Sequence, residues 1–284
     1  MPRPSNHVLP VDPQRYAPSA LRPVRVKARR LRADTHIVPH RHTWAQVAFS
    51  SAGVLRLTAA DHTFIVPPSR AVWIPAGTEH VVSVVEDAEL RTLYLHQPSG
   101  ATGPLALGQH SAGKADGKRD WQRCRVLEVS ALMRELVQQL HADYDAPKAQ
   151  SCQRERCLMA LLQDELALAR PVALGVGLPA DKRLRALCEA VIDDPARHAT
   201  LQGWAAESGA SVRTVARLFR HELGTTFAEW RQQVLLAKAL SMAARKRPMS
   251  HIASALGYAS ASAFTAMVRR SVGMPPSRFF AAAT

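Results

Sequence analysis

The sequence predicts two domains of different kind: an all-β barrel with two appended helices, then an all-α domain carrying two helix-turn-helix motifs. Three observations lead there. Short apolar runs broken by Gly, Pro and Asp fill residues 36–96. The hydrophobic period lengthens from two to between three and four after residue 130. One helix-turn-helix pattern is written twice, 48 residues apart, in the last third of the chain. At 284 residues the chain is long enough for two hydrophobic cores. Strands followed by helices indicate separate domains rather than one mixed fold.

Residues 1–35 are rich in Pro and Arg and predict an extended segment. They hold no apolar signal-peptide core, and no run of about 18 apolar residues occurs in the chain, so neither export nor a membrane span is expected. The protein reads as cytoplasmic. Its four cysteines, Cys124, Cys152, Cys157 and Cys188, form no C-x-x-C pair, which excludes a zinc finger and suits reduced packing thiols.

The barrel is predicted over 36–129. Runs at 54–58, 62–66, 71–74, 81–85 and 90–95 have strand length and composition, and their even spacing suits a sandwich or small barrel. The Gly- and Ala-rich stretch 99–120 reads as an exposed loop, and CRVLEV (124–129) as one more strand. A helical region follows over 130–169. Leu132, Leu136 and Leu140 share a face of a helix over 130–144, and 154–169 is a second amphipathic helix. Together they carry more leucine than one small domain needs. RPVALGVGLPA (170–180), with Pro and Gly and almost no charge, predicts a linker.

The all-α domain is predicted over 181–284, with motifs at 200–224 and 249–273. In the first, Thr200 caps a short helix, Gly209 permits the left-handed turn, and Ser211 caps a second helix whose Val215, Leu218 and Phe219 face inward. In the second, Ser250, Gly257 and Ser260 take the equivalent places, with Phe264, Met267 and Val268 inward. Between them, Phe227, Trp230, Val234 and Ala237 recur at steps of three and four. That is one helix of about five turns, a spacer able to hold two recognition helices about 34 Å apart on one face of a duplex. The whole chain has a formal net charge of +14. Residues 181–284 hold 15 Lys and Arg against 7 Asp and Glu, a net +8, so this domain is expected to attract phosphates.

WAAESGASVRTVARLFRHELGTTFAEWR and IASALGYASASAFTAMVRRSVGMPPSRF resemble the DNA-binding domain of the AraC/XylS family of bacterial transcription regulators. The resemblance covers residues 181–282. It implies a sequence-specific regulator that reads two successive major grooves of operator DNA, acts with RNA polymerase, and pairs as a homodimer through helices like those over 130–169. Carried over by position, the base-reading candidates are Arg213, Ala216 and Arg217, then Ser262, Thr265 and Ala266. Arg213 and Arg217 have the bidentate chemistry for guanine, whereas Thr265 and the alanines offer methyl contacts to thymine. Arg220, Arg269 and Arg270 are candidates for phosphate contacts that fix register.

In the β half, HRHTWAQ (40–46) sets two histidines on alternate positions, which in a strand face the same side. Metal ligands, a ligand-pocket lining, and hydrogen bonding within the barrel are all open readings. The pattern His40-x-His42-x3-Gln46-x6-Gly53 resembles the first cupin motif, and Pro75-x-Gly77-x2-His80 the second. That resemblance implies a jelly-roll barrel with His40, His42 and His80 as metal ligands. Gln46 replaces the family's usual glutamate, a weaker donor for a dication. Three imidazoles suit Zn, Fe or Ni. Trp44 and Trp73 are candidates to line the same cavity. The alternative is a metal-dependent cupin enzyme carrying a DNA-binding module. Against it, no general acid–base pair accompanies the histidines. A DNA binder without an effector is a third reading, disfavoured by two well-formed reading motifs.

Overall fold

The structure, a computed structural model, describes residues 6–10, 13–59, 62–66, 70–85, 87–98, 103–104, 121–140, 153–172, 175–272 and 275–281. Most of the predicted loop 99–120, the end of the predicted helix 130–144 and Cys152 lie outside them. The chain divides into two units, 1–60 with 66–173 and 61–65 with 174–284.

The elements of the first unit are β1 (Asn6–Val8), a 3-10 turn (Pro13–Tyr16), β2 (Val24–Leu31), β3 (Thr35–His40), β4 (Ala45–Ala52) and β5 (Leu55–Ala59). After β6 (His62–Val66) come β7 (Arg70–Ile74), β8 (His80–Val84), β9 (Ala88–Leu95), β10 (Arg125–Glu128), α1 (Ala131–Gln139), α2 (Gln153–Leu168) and β11 (Pro171–Val172). Its strands form two sheets, in the orders β1-β3-β8-β5 and β11-β10-β7-β4-β9-β2. The fold is the expected β-rich, cupin-like barrel.

Register decides what the second sheet presents on each side. Val26 lies opposite Leu93, Leu93 opposite Val47, and Val47 opposite Trp73. These residues share one face and pack with Leu127 against Met133, Leu136 and Val137 of α1 and Met159, Leu162 and Leu166 of α2. Each such buried side chain contributes about 1.5–3 kcal/mol. Because side chains alternate along a strand, the other face carries Lys27 opposite Thr92 and Gln46 opposite Tyr94, with Arg29 two residues beyond Lys27. The first sheet contributes buried Ile37, Leu55, Leu57, Val82 and Val84.

Three expectations change in this unit. The segment 1–35 is not merely extended: β2 pairs with β9 over its full length, from Val24 opposite Leu95 to Leu31 opposite Ala88. Its alternation is disguised, because the polar face is made of Arg and Lys and one of these, Lys27, is itself buried. Leu132 is 49% exposed, so the buried face of α1 is Met133, Leu136 and Val137, followed by Leu140. That is the i, i+3, i+4, i+7 stripe, whereas 132, 136 and 140 drift off it. Trp73 belongs to the helix-covered face, where its indole N–H donates to the Trp121 carbonyl (2.9 Å), and so it does not line the barrel interior.

The second unit contains β6, β12 (Gly175–Gly177), α3 (Lys182–Asp193), α4 (Leu201–Glu207), α5 (Val212–Leu223), α6 (Phe227–Ala244), α7 (Met249–Ala255), α8 (Ala261–Val272) and α9 (Pro276–Ala281). The predicted linker 170–180 instead holds β11, paired with β10, and β12, paired with β6. Its glycines allow close backbone approach: a Cβ on Gly177 would stand 3.2 Å from Leu223 Cδ2, and the Gly177 carbonyl accepts from Trp230 Nε1 (2.7 Å). α6 is the expected five-turn helix. A capping box starts it, with Thr226 and Glu229 satisfying each other's backbone N–H. Its Phe227, Trp230, Val234, Leu235, Ala237 and Leu240 are buried around several sides, which makes α6 the central element of the unit.

Candidate functional site

Two clusters of functional side chains emerge, one in each unit. In the first, β3 delivers His40 at its last residue, and His42 follows in the connection to β4 rather than on the strand itself. The Gly77 N–H donates to the His42 carbonyl (2.8 Å), which draws the turn before β8 against that connection. His80 then opens β8 opposite His40. The ring centroids of His40 and His80 are 4.3 Å apart and those of His42 and His80 5.3 Å. One nitrogen from each of the three rings lies within 4.8 Å of the others.

All three rings are oriented in the same way. His40, His42 and His80 each direct Nδ1 at a backbone carbonyl, of Val38 (2.9 Å), Trp44 (2.9 Å) and Thr78 (3.0 Å). A carbonyl only accepts, so Nδ1 carries the proton and a neutral ring keeps its lone pair on Nε2. Burial pushes His80 down to about 4 and also lowers His40, which keeps both rings uncharged near neutrality. The His80 Nε2 atom is buried and has no hydrogen-bond partner. The His42 Nε2 atom stands 2.6 Å from Gln46 Oε1. Two lone pairs do not face each other at that distance unaided. Either the ring carries a second proton on Nε2 and donates it, or the amide turns its NH2 toward the ring, or both atoms face a shared cation.

Around these histidines lie Trp44, named from the sequence, and further groups that the sequence did not single out. Trp44 stacks on His42 with centroids 5.4 Å apart, and Tyr94 stands edge-on to both His42 and Trp44. Tyr16, from the 3-10 turn, lies against Tyr94, and the Lys27 ammonium sits 5.6 Å from the centre of the Tyr16 ring. Burial, then Arg29, pushes Lys27 down to about 8. Burial pushes the Tyr94 hydroxyl up to about 12. Register could have found Tyr94, opposite Gln46, but only once β4 and β9 were paired correctly.

In the second unit both helix-turn-helix motifs form, α4–α5 and α7–α8. Gly209 and Gly257 occupy the turns with φ of 65° and 79°, where any side chain would be strained. Thr200, Ser211 and Ser260 accept from backbone N–H groups three residues on, as expected of caps. Ser250 does not: α7 starts at Met249, with Pro248 in the capping position and no side-chain cap. Val215, Phe219, Phe264, Met267 and Val268 are buried, whereas Leu218 is half-buried. The candidate readers are left outside. Arg213, Arg217, Arg220, Ser262, Ala266, Arg269 and Arg270 are exposed, and Ala216 and Thr265 partly so. Other arginines are engaged internally: Arg197 bonds Glu207 (2.8 Å), and Arg231 donates to the Pro195 carbonyl (2.7 Å). Ala216 and Arg220 of α5 and Arg270 of α8 border one open groove of about 630 Å³, floored by α6 residues including Arg231.

Comparison with known proteins agrees with this division. Residues 24–166 match the family described as an AraC-like ligand binding domain, and residues 204–282 match a helix-turn-helix domain. The chain is 31% identical over 245 residues to the HTH-type transcriptional regulator NimR of Escherichia coli, covering 86% of this chain and 82% of that protein. It is 34% identical over 102 residues to the HTH-type transcriptional regulator RipA of Corynebacterium glutamicum, covering 36% and 31% of the two. It is 25% identical over 247 residues to the probable transcriptional regulator LumQ of Photobacterium leiognathi, covering 84% and 90%.

Proposed function

Because the chain belongs to the AraC family of HTH-type transcriptional regulators, with a ligand-binding domain ahead of its DNA-binding domain, we propose that a metal-assisted effector site in the barrel controls operator reading by α5 and α8. One observation carries the barrel half of this reading. Three buried or half-buried imidazoles have their Nδ1 protons committed to backbone carbonyls, and the His80 Nε2 lone pair has no partner. An unpaired buried acceptor costs about 1–3 kcal/mol unless something occupies it. His40, His42, His80 and the Gln46 amide are the residues that would hold a divalent ion. Such an ion supplies a Lewis-acidic centre with positions open to an effector atom.

On the DNA side, Arg213 and Arg217 read guanine edges in one groove, and Ser262, Thr265 and Ala266 make the shorter contacts in the next. Arg220, Arg269 and Arg270 hold phosphates. The shared groove between α5 and α8 supports a common docking face. Leu132, Leu161 and Leu168 are 49%, 43% and 61% exposed on α1 and α2, which supports pairing of two chains through these helices. Control by an effector requires that it bind two states of the regulator with different affinity.

The test is made on the full-length protein. Metal content is measured after purification and after loading with Zn, and the DNA upstream of its own gene serves in a shift assay. About one equivalent of metal per chain is expected, lost in the His40→Ala, His80→Ala double variant, which still binds DNA. Stoichiometric metal in the double variant, or none in the wild type under loading, sinks the metal assignment.

A further inference from the structure

The inner face of the second sheet carries buried cations, and they are not treated alike. Arg70 is 2% exposed, and Glu128 lies opposite it in the β7–β10 register, where its charge favours the guanidinium. Lys27 is 7% exposed on β2. Among the described residues it has no carboxylate partner; the groups that face it are the Tyr16 ring, the like charge of Arg29 and the His40 imidazole. Arg29, on the same side of β2, has its Nη1 atom buried without a hydrogen-bond partner. A buried charge left without its counter-charge is strongly destabilising, and protein interiors normally pair such groups. This pair is therefore held at a cost to stability unless an anion comes to it.

The surroundings restrict what kind of anion fits. Tyr16, Tyr94 and Trp44 form a contiguous aromatic wall, from the Lys27 ammonium to the three histidines. The Trp44 Nε1 donor is also buried and unbonded. Beyond them the first sheet presents buried aliphatic side chains such as Leu55, Leu57 and Val82. Inorganic phosphate would satisfy the cations but leave the wall without a partner. A neutral apolar molecule would satisfy the wall but leave the cations unpaired.

We propose that the effector of this barrel is a small organic carboxylate, its head group received by Lys27 and Arg29 and its apolar body packed against Tyr16, Tyr94 and Trp44. The proposal rests on the reading of the barrel as the effector chamber. It adds the chemical class of the effector and a recognition pair on β2, near enough to the histidine cluster for the Lys27 charge to act on His40.

The test uses the full-length protein with three probes, benzoate, its neutral counterpart benzamide, and inorganic phosphate, followed by titration calorimetry and thermal unfolding. Benzoate is expected to bind, with benzamide and phosphate each at least about tenfold weaker, the difference a charge-assisted pair typically makes. Lys27→Met and Arg29→Met should each weaken benzoate at least about tenfold, whereas Arg30→Met, exposed and on the opposite face of the same strand, should leave it unchanged. Without any probe, Lys27→Met should melt a few degrees higher, because it removes an uncompensated buried charge. The subsite is overturned if benzoate does not bind, if benzamide or phosphate binds as well as benzoate, if both β2 variants bind like wild type, or if Lys27→Met alone lowers the melting temperature. Metal content measured on the same samples separates the two readings. Metal retained without benzoate binding removes the carboxylate subsite alone; benzoate bound at Lys27 by protein that takes up no metal under loading removes the metal assignment alone.

Discussion

At the scale of single residues, chemistry rather than position distinguishes the groups. His40, His42 and His80 were legible in the sequence through their resemblance to the two cupin motifs, and they converge as that resemblance implies. Gln46 was legible as the odd member, its carbonyl oxygen lies 2.6 Å from His42 Nε2, and the proposed site takes it as the fourth donor. Gln46→Glu should then tighten divalent metal by about tenfold, the range over which neighbouring groups tune such sites. It should also destabilise the metal-free protein, since a buried carboxylate has no counter-charge there. Competition against a chromogenic chelator measures the first effect, and weaker metal binding in the variant would remove Gln46 from the ligand set. Among the exposed arginines of α5, Arg217 is proposed to meet a base and Arg220 a phosphate. Arg217→Ala should cost about 1–3 kcal/mol at one base pair and little elsewhere. Arg220→Ala should weaken all sequences alike and reduce the salt slope by about 0.9. Competition binding on a set of single-base operator variants at several salt concentrations reads both, and exchanged phenotypes would exchange the assignments. What the sequence did not reveal here is Lys27, Arg29 and Tyr94, because a lone cation or tyrosine carries no spacing signal until the strands are in register.

At the scale of elements, legibility followed the clarity of the local pattern. α5 and α8 were predictable because cap, glycine turn and apolar stripe agree on the same boundaries. β2 was missed because its polar face is Arg and Lys, with Lys27 buried among them, so the period-two signal was lost. β12 was missed because a three-residue strand rich in glycine is locally indistinguishable from a linker, and only its partner β6 reveals it. The caps give a direct check at this scale. Ser211 Oγ accepts from the Thr214 N–H (3.1 Å), whereas Ser250 caps nothing, because Pro248 occupies the start of α7. Ser211→Ala should therefore destabilise the helical unit by about 1 kcal/mol. Ser250→Ala should fall within about 0.5 kcal/mol of wild type. Urea unfolding followed through the buried Trp204 and Trp230 measures both, and equal losses would mean that the second motif is capped after all.

At the scale of the whole molecule, the question is what two motifs gain from sharing one central helix. α6 has 18 residues, which at 1.5 Å per residue is about 27 Å. It is buried on several sides, so the groups attached at its ends are not free to reorient one at a time. Ala216 and Arg220 from one motif and Arg270 from the other open on the same groove. A rigid pair of readers on one side must meet DNA at sites one helical turn apart, about 34 Å, or use only one motif at a time. Three phosphate-binding arginines would also give a plot of log affinity against log salt a slope of at least about −2.7. Hydroxyl-radical footprinting of the full-length protein on its own upstream DNA should then show paired protections about 10 base pairs apart on one face for each bound chain. Ser262→Arg, which adds a cation at the second reader only, should deepen the distal protection and leave the proximal one unchanged. A single protected groove segment, or two patches on opposite faces, would be incompatible with α5 and α8 being held on a common side by α6, and would confine recognition to Arg213 and Arg217.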